Sequence, residues 1–380
     1  MTYKNFLIKI SRCFDQIGLR HLERKLKNIF FKIPGYFLGA KPVEKIEDTQ
    51  IQNILIIRQH NQMGDMLCST PLFAAVRKRF QGAHITLIAS EVNLPVVQHH
   101  PAIDRVLLFE KQNFLAQPGG FFRFWRSLRE RKYDLGIVPS TVSMSVTSDL
   151  LCFVARTRYR LGVRTLNGEA NPSAFIYNLP VDLDWRENHQ HQTERNLVIL
   201  KPIGWNEPAG ALSIGVSPED EIFATRFLQQ HAAANDVIIG MHPGAGKVPN
   251  RWPTEHFARL AEHLAEKFGV KIFITCGPMD ADVVETMVAA LKIKATVCQN
   301  FSLTQLAALM RKMRLYITND TGTMHLAAAA GVPTLSLFGP TDPHQWAPPG
   351  AAHRFLAANN GNIESISLEQ VQMTAKAMLS

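Results

Sequence analysis

The sequence predicts two consecutive open α/β domains, each a parallel sheet flanked by helices, behind a basic helical extension. Three observations carry this. The chain has 380 residues, about twice the usual single-domain length. From residue 51 onward, short apolar runs alternate with helical stretches in two successive series, the pattern of βαβ units and parallel pairing. Hydrophobic residues make up 46% and charged residues 19%, which excludes a disordered, collagen-like or acidic solvating chain.

In the first series, Ile54–Ile57 reads as a buried strand, Leu72–Phe80 as a helix and His84–Ala89 as the next strand, with Gly82 between them. Strands over Val106–Phe109 and Leu135–Val138 follow, with a helix over Phe121–Arg131 between them. The stretch 162–208 has mixed polarity, several prolines and two tryptophans, and no element is assigned to it. Ser217-Pro218 suits the cap and first turn of a helix over Glu219–His231. The second series runs through strands Val237–Ile239, Val270–Thr275, Leu315–Ile317 and Thr334–Phe338. Its helices are Thr254–Phe268, Asp280–Leu291 and Gly322–Ala330. The expected units are an extension over 1–48, a first domain over 49–205 and a second over 206–380.

The net charge of +9 is concentrated at one end. Residues 1–42 hold nine basic and two acidic side chains, so the rest of the chain carries only about +2. Leu7, Ile10, Phe14 and Ile17, then Leu22, Leu26, Ile29 and Ile33, recur at helical spacing with lysines and arginines between them. A basic amphipathic helix ending in Phe30, Phe31, Tyr36 and Phe37 suits an anionic membrane surface; the alternative is a helix packed on the body with a solvated basic face. Nucleic acid is not expected as a partner, because the remaining chain shows no recognition motif.

No apolar run approaches the roughly 18 residues of a spanning helix, and the first short one stops at Lys9. A cytoplasmic protein is expected. Five scattered cysteines without a CxxC spacing argue against a disulfide framework or a thiolate zinc site and read as reduced, mostly core thiols.

In open α/β sheets ligands bind beyond the carboxyl ends of the strands, which directs attention to four loops. The first, Arg58-Gln59-His60-Asn61-Gln62-Met63-Gly64-Asp65, leads into a helix starting between Asp65 and Pro71. Gly64 allows close backbone approach, and Asp65 either caps that helix or faces the cleft. No GxGxxG is present, so a dinucleotide cofactor is not expected. The second, from His242-Pro243-Gly244 through Lys247 to Arg251-Trp252-Pro253, combines glycines and cations in a manner suited to phosphate; a solvated basic loop is the alternative. The third, Gly277 to Asp280, follows the strand Val270–Thr275. The fourth, Asn319-Asp320-Thr321-Gly322-Thr323-Met324-His325, opens an alanine-rich helix whose first-turn N–H groups make a pyrophosphate seat. Capping by Asp320 or Thr321 would be the simpler role. Phe338-Gly339-Pro340-Thr341-Asp342-Pro343 either walls the same cleft or merely fixes a turn.

Taken together and in order, the Gly64-Asp65 pair, His242-Pro243-Gly244 with Arg251-Trp252-Pro253, Asn319-Asp320-Thr321-Gly322 with Met324-His325, and Phe338 to Pro343 resemble glycosyltransferase family 9, over about residues 51–350. That family contains the ADP-heptose:lipopolysaccharide heptosyltransferases. The resemblance implies a GT-B architecture, two Rossmann-like domains facing across a cleft, with acceptor on the first (Arg58 and Gly64 on that side) and nucleotide sugar on the second. It also implies an inverting, metal-independent transfer without a cofactor, in which Asp65 is the general base.

The donor would then be held by His242, Gly244, Lys247, Arg251, Asp320, Thr321 and Gly322. Asp280 would reach the ribose or cap its helix, and His325 would reach a phosphate or bond a neighbouring carbonyl in the core. The family usually has a phosphate-contacting lysine two positions before the Trp-Pro pair, where this chain has Asn250, so Lys247 or Arg251 is expected to substitute. The implied reaction moves a heptose from ADP-heptose to a lipopolysaccharide core or related lipid-linked glycan. Another nucleotide sugar, or nucleotide binding without catalysis, are the alternatives.

Overall fold

The computed structural model describes residues 40–43, 46–110, 118–186 and 190–380. The basic amphipathic segment expected over residues 1–42 lies almost entirely outside these.

Six parallel strands build the first sheet: β1 (Asn53–Arg58), β2 (His84–Ala89), β3 (Arg105–Leu108), β4 (Leu135–Ile137), β5 (Tyr159–Leu166) and, after the two-residue β6 (Glu169–Ala170), β7 (Leu179–Leu183). Their spatial order is β3-β2-β1-β4-β5-β7, with β6 turned back antiparallel on β5. Both faces are covered, so the middle of β1, Ile54–Ile57, reads as an unbroken apolar run, and only Asn53 of the strand is not buried.

The second sheet contains β8 (Ile238–His242), β9 (Lys271–Thr275), β10 (Thr296–Cys298), β11 (Leu315–Asn319), β12 (Thr334–Phe338) and β13 (Arg354–Ala357). Its order, β10-β9-β8-β11-β12-β13, is parallel throughout. This is the doubly wound arrangement, in which strand order reverses between β8 and β11 and a crevice opens beyond their carboxyl ends. The first sheet reverses between β1 and β4 in the same way.

The stretch 162–208 is structured. β5 and β7 pair in parallel around a register shift between Val163 and Thr165, and Gln192–Val198 forms a helix. The chain then stays on the first body: Asn196 Nδ2 donates to the Cys68 carbonyl at 3.2 Å, and the Ser213 amide donates to Thr70 Oγ1 at 3.0 Å. The helix Pro218–His231 begins with the expected Ser217 cap, completed by Asp220 as a capping box.

One apolar cluster joins the domains. It runs from Ile54 and Ile56 of β1 through Met66 and Leu67 to Ala307–Met310 and Leu326 of the second domain. Three of the described cysteines, Cys68, Cys152 and Cys298, are buried thiols, while Cys276 is half-buried.

Candidate active site

β1 ends at Arg58, and the chain turns into a single helical turn, Met63–Leu67, before the longer helix Thr70–Arg79. Asp65 therefore does not cap: Gln62 occupies the N-cap position and no side-chain cap bond is made there. Asp65 instead lines a cavity of about 780 Å³, together with Gln59, His60, Asn61, Gln62 and residues of the β2 and β3 ends. Burial pushes the Asp65 carboxyl above the usual carboxylate range, while the charges of Arg58 and His60 oppose that rise.

Arg58 is itself buried. Its Nη1 donates to the Pro139 carbonyl at 3.3 Å, beyond the end of β4, and its Nε has no partner. The first cavity thus holds a carboxylate with raised proton affinity beside a buried guanidinium, at the switch point of its sheet.

In the second domain, Asn319 at the end of β11 organises the loops. Its Nδ2 donates to the carbonyls of Pro243 (2.8 Å) and Gly244 (3.2 Å), and its Oδ1 accepts from the Trp252 amide at 3.0 Å. One fully buried amide side chain therefore fixes both halves of the loop after β8. His242, at the end of β8, donates from Nδ1 to the Thr275 carbonyl at 3.0 Å, and its Nε2 stands 3.6 Å from Asp280 Oδ2. Burial drives the ring towards its neutral form, against the pull of the Asp280 carboxylate.

Asp280 occupies the N-cap position of the helix Ala281–Ala290 but makes no side-chain cap bond. Its carboxylate lies instead over Gly244 and Gly277, where any Cβ would collide with it. Of the two roles expected for Asp280, the geometry leaves capping unfilled and turns the side chain towards His242.

Asn250 is buried, and its Nδ2 donates to Asp320 Oδ2 at 2.9 Å and to Thr341 Oγ1 at 3.3 Å. The residue in the family's lysine position thus closes onto the Asp320 carboxylate and draws in the loop after β12. Burial raises Asp320, while the Thr341 hydroxyl and the positive Lys247 oppose it. Lys247 is exposed, whereas the Arg251 Nε donates to the Ala245 carbonyl at 2.9 Å. Lys247 is therefore the freer of the two expected substitutes. Thr321 is the N-cap residue of the helix Gly322–Ala329 yet makes no side-chain cap bond, so it does not use up the first-turn N–H groups of that helix.

The two domains meet where these pieces converge. A Cβ on Gly64 would come 3.0 Å from His325 Cδ2, and one on Gly322 would come 2.5 Å from Met63 Cε. His325 is fully enclosed, with its Nδ1 3.7 Å from Cys68 Sγ, and burial pushes its pKa down to about 3. It stays neutral and packs the start of one helix onto the other, against a thiol rather than a carbonyl. Gly64 sits at this close approach between domains, where an added methyl would press on the His325 ring.

Sequence reasoning quoted Asn319 only as part of a motif and gave it no role. It also passed over Glu91 and Glu110, which line the Asp65 cavity and of which Glu110 is held above its usual range by a hydrogen bond with Glu91. A buried Asn after a strand is the signal for the first; the second pair has none, since it comes from two different strand ends. Among the described residues, no group of three or more His, Cys, Asp or Glu is placed to hold a metal ion.

Two Rossmann-like domains, with candidate residues on both sides of their junction, define a GT-B architecture. The family model for glycosyltransferase family 9 (heptosyltransferase) matches residues 121–374, and the chain belongs to that family. A lipopolysaccharide heptosyltransferase 3 of Escherichia coli is 26% identical over 304 residues, covering 75% of this chain and 83% of the relative. Among solved structures, a glycosyl transferase family 9 protein from Veillonella parvula superposes with a TM-score of 0.78 at 24% identity, over 90% of this chain and 99% of that one. The E. coli ADP-heptose LPS heptosyltransferase II does so with a TM-score of 0.71 at 23% identity, over 87% and 98%. These structural likenesses establish the fold.

Proposed function

We propose that this glycosyltransferase moves a heptose from ADP-heptose to a lipopolysaccharide core or related lipid-linked glycan, with inversion and with Asp65 as general base. The observation that carries the reading is the position of Asp65: in a cavity of the first domain, on a helical turn packed directly against the start of the helix Gly322–Ala329. The relatives, named as lipopolysaccharide heptosyltransferases, support the sugar and the acceptor class.

In this mechanism Asp65 takes the proton from an acceptor hydroxyl as that oxygen attacks the anomeric carbon. The bond from that carbon to the β-phosphate oxygen breaks, and the nucleoside diphosphate leaves. Negative charge grows on the leaving phosphate, and the N–H groups at the start of Gly322–Ala329 with Lys247 are the groups available to stabilise it. One such aimed donor is worth about 3 kcal/mol. Asn319 holds the loops in place, Asp280 meets the ribose, and the Arg58 charge favours the ionised form of Asp65 against its burial.

The donor is tested by thermal stabilisation with ADP, UDP, GDP and CDP. At about 100 times its dissociation constant, the true nucleotide adds roughly 2.7 kcal/mol, a shift of several degrees. Selective stabilisation by ADP is expected, and selective stabilisation by another nucleotide would replace the donor assignment. The pH profile tests the base: as pH falls, kcat/KM should decline through a pKa above the ordinary aspartate value, because Asp65 must be ionised to accept the proton. An acid limb unmoved by Asp65→Glu would count against it. The proposed location is the cytoplasmic face of the membrane, held peripherally through residues 1–42; none of the described helices is long and apolar enough to cross it.

A further inference from the structure

Helix Pro118–Arg129 of the first domain carries a face that the transfer reaction does not use. Phe124 and Leu128 turn inward, into the cluster with Tyr133 and Cys152. Phe122, Trp125, Arg126 and Arg129 fall at i, i+3, i+4 and i+7, on one side of the helix. Phe122 is 69% exposed, and the Arg129 guanidinium lies 5.2 Å from the centre of the Trp125 ring. Beyond the helix, this stripe opens into a groove of about 490 Å³ lined by Trp125, Arg129, Phe153, Val154, Arg156 and Arg160. Among the described residues, no carboxylate pairs with Arg126, Arg129 or Arg156, and the neighbouring Glu130 is taken up by Arg105 at 2.8 Å.

Aromatic rings beside unpaired guanidiniums suit the boundary between acyl chains and anionic headgroups, where rings sit at headgroup depth and arginines meet phosphate in bidentate fashion. Two positional facts point the same way. Ala40, where the basic N-terminal residues join the described body, donates its amide to the Phe175 carbonyl at 2.8 Å, and Phe175 packs in the same cluster as Phe153 and Val154. Residue 40 thus bonds to a residue packed on the same cluster as the groove's Phe153 and Val154, and the like charge of the basic N-terminal residues disfavours them as the groove's own occupant. Phe124 makes an edge contact with Phe109, ring centres 5.2 Å apart, and Phe109 lines the Asp65 cavity.

We propose that the face formed by Phe122, Trp125, Arg126, Arg129 and Arg156 docks on the phosphate headgroups of an anionic bilayer, presenting the Asp65 cavity to a lipid-linked acceptor. This deepens the peripheral-membrane reading above and rests on it for the nature of the acceptor, but assigns membrane contact to the folded first domain.

The test uses the full chain and co-sedimentation with vesicles of phosphatidylglycerol and phosphatidylcholine, against phosphatidylcholine alone. Each basic group near an anionic surface contributes about fivefold in partitioning, so Arg126→Glu, Arg129→Glu and Arg156→Glu together should weaken anionic-vesicle binding by about 100-fold. Lys267→Glu, Lys292→Glu and Lys294→Glu, an equal charge change on the second domain, should weaken it by less than about tenfold. Phe122→Ala removes an exposed ring without altering charge and should lower binding by about tenfold. Thermal unfolding midpoints of all variants should match the parent, and vesicle binding is read without nucleotide, so a wrong donor assignment leaves this test intact. Equal losses from the two charge triples, unchanged binding of the Phe122 variant, or tight binding of single-stranded RNA in place of vesicles would each overturn the proposal.

Discussion

Asp65→Asn should lower kcat by about 10²- to 10⁴-fold, the usual contribution of a positioned general base, while leaving stabilisation by nucleotide unchanged. Asparagine keeps the shape of the side chain, so the packing of Met63–Leu67 against the second domain survives. What disappears is the group able to accept the acceptor proton. Asp65 is suited to that task because burial raises its proton affinity above that of an exposed aspartate, while Arg58 and His60 oppose the rise. Transfer at the parental rate by the Asn variant would remove Asp65 from the mechanism. Loss of nucleotide stabilisation together with activity would make its role one of domain packing.

Gly244→Ala should raise the donor KM by about 5- to 150-fold with a much smaller effect on kcat. An added methyl at Gly244 meets the Asp280 carboxylate, and overpacking a fixed site costs about 1–3 kcal/mol, which converts to that range. The displaced carboxylate would also leave His242, whose imidazole is held from the other side by Thr275. Asp280→Ala should raise the same KM, and the double variant should be no worse than the poorer single one, since both act on one carboxylate. Additive losses would separate Gly244 from Asp280 and refute this account of the loop.

Much of the framework was legible because the strands of a parallel sheet covered on both faces are continuous apolar runs. Ile54–Ile57 and Leu315–Ile317 stand out for that reason, and the loops after them lead to Asp65 and to Asp320, Thr321, Gly322 and His325. The one-turn helix Met63–Leu67 was not legible: five residues containing a glycine carry no period, and the turn is seated by tertiary contacts, with His325 against Gly64 and Met66 and Leu67 in the core. The β5–β7 region failed for another reason. Its order comes from distant polar contacts, with Asn171, Ser173 and Tyr177 all donating to the buried Asp149, and its ladder shifts register midway. Local periodicity cannot report either feature. At the site, residue identity told which loops mattered but not which way a side chain turned, so Asp65 and Asp280 each kept a capping alternative that the backbone geometry then left unfilled.

The glycine-faced seam between Met63–Leu67 and Gly322–Ala329 has a consequence for engineering this enzyme. Each half of the seam is shaped for a side chain of the other: Gly64 for His325, and Gly322 for Met63. Chimeras that graft the second domain of one relative onto the first domain of another, in the hope of exchanging donor preference, will inherit mismatched halves unless residues 63–68 travel with the helix Gly322–Ala329. The unit that can be exchanged intact therefore crosses the domain boundary, and it includes the neighbour of Asp65.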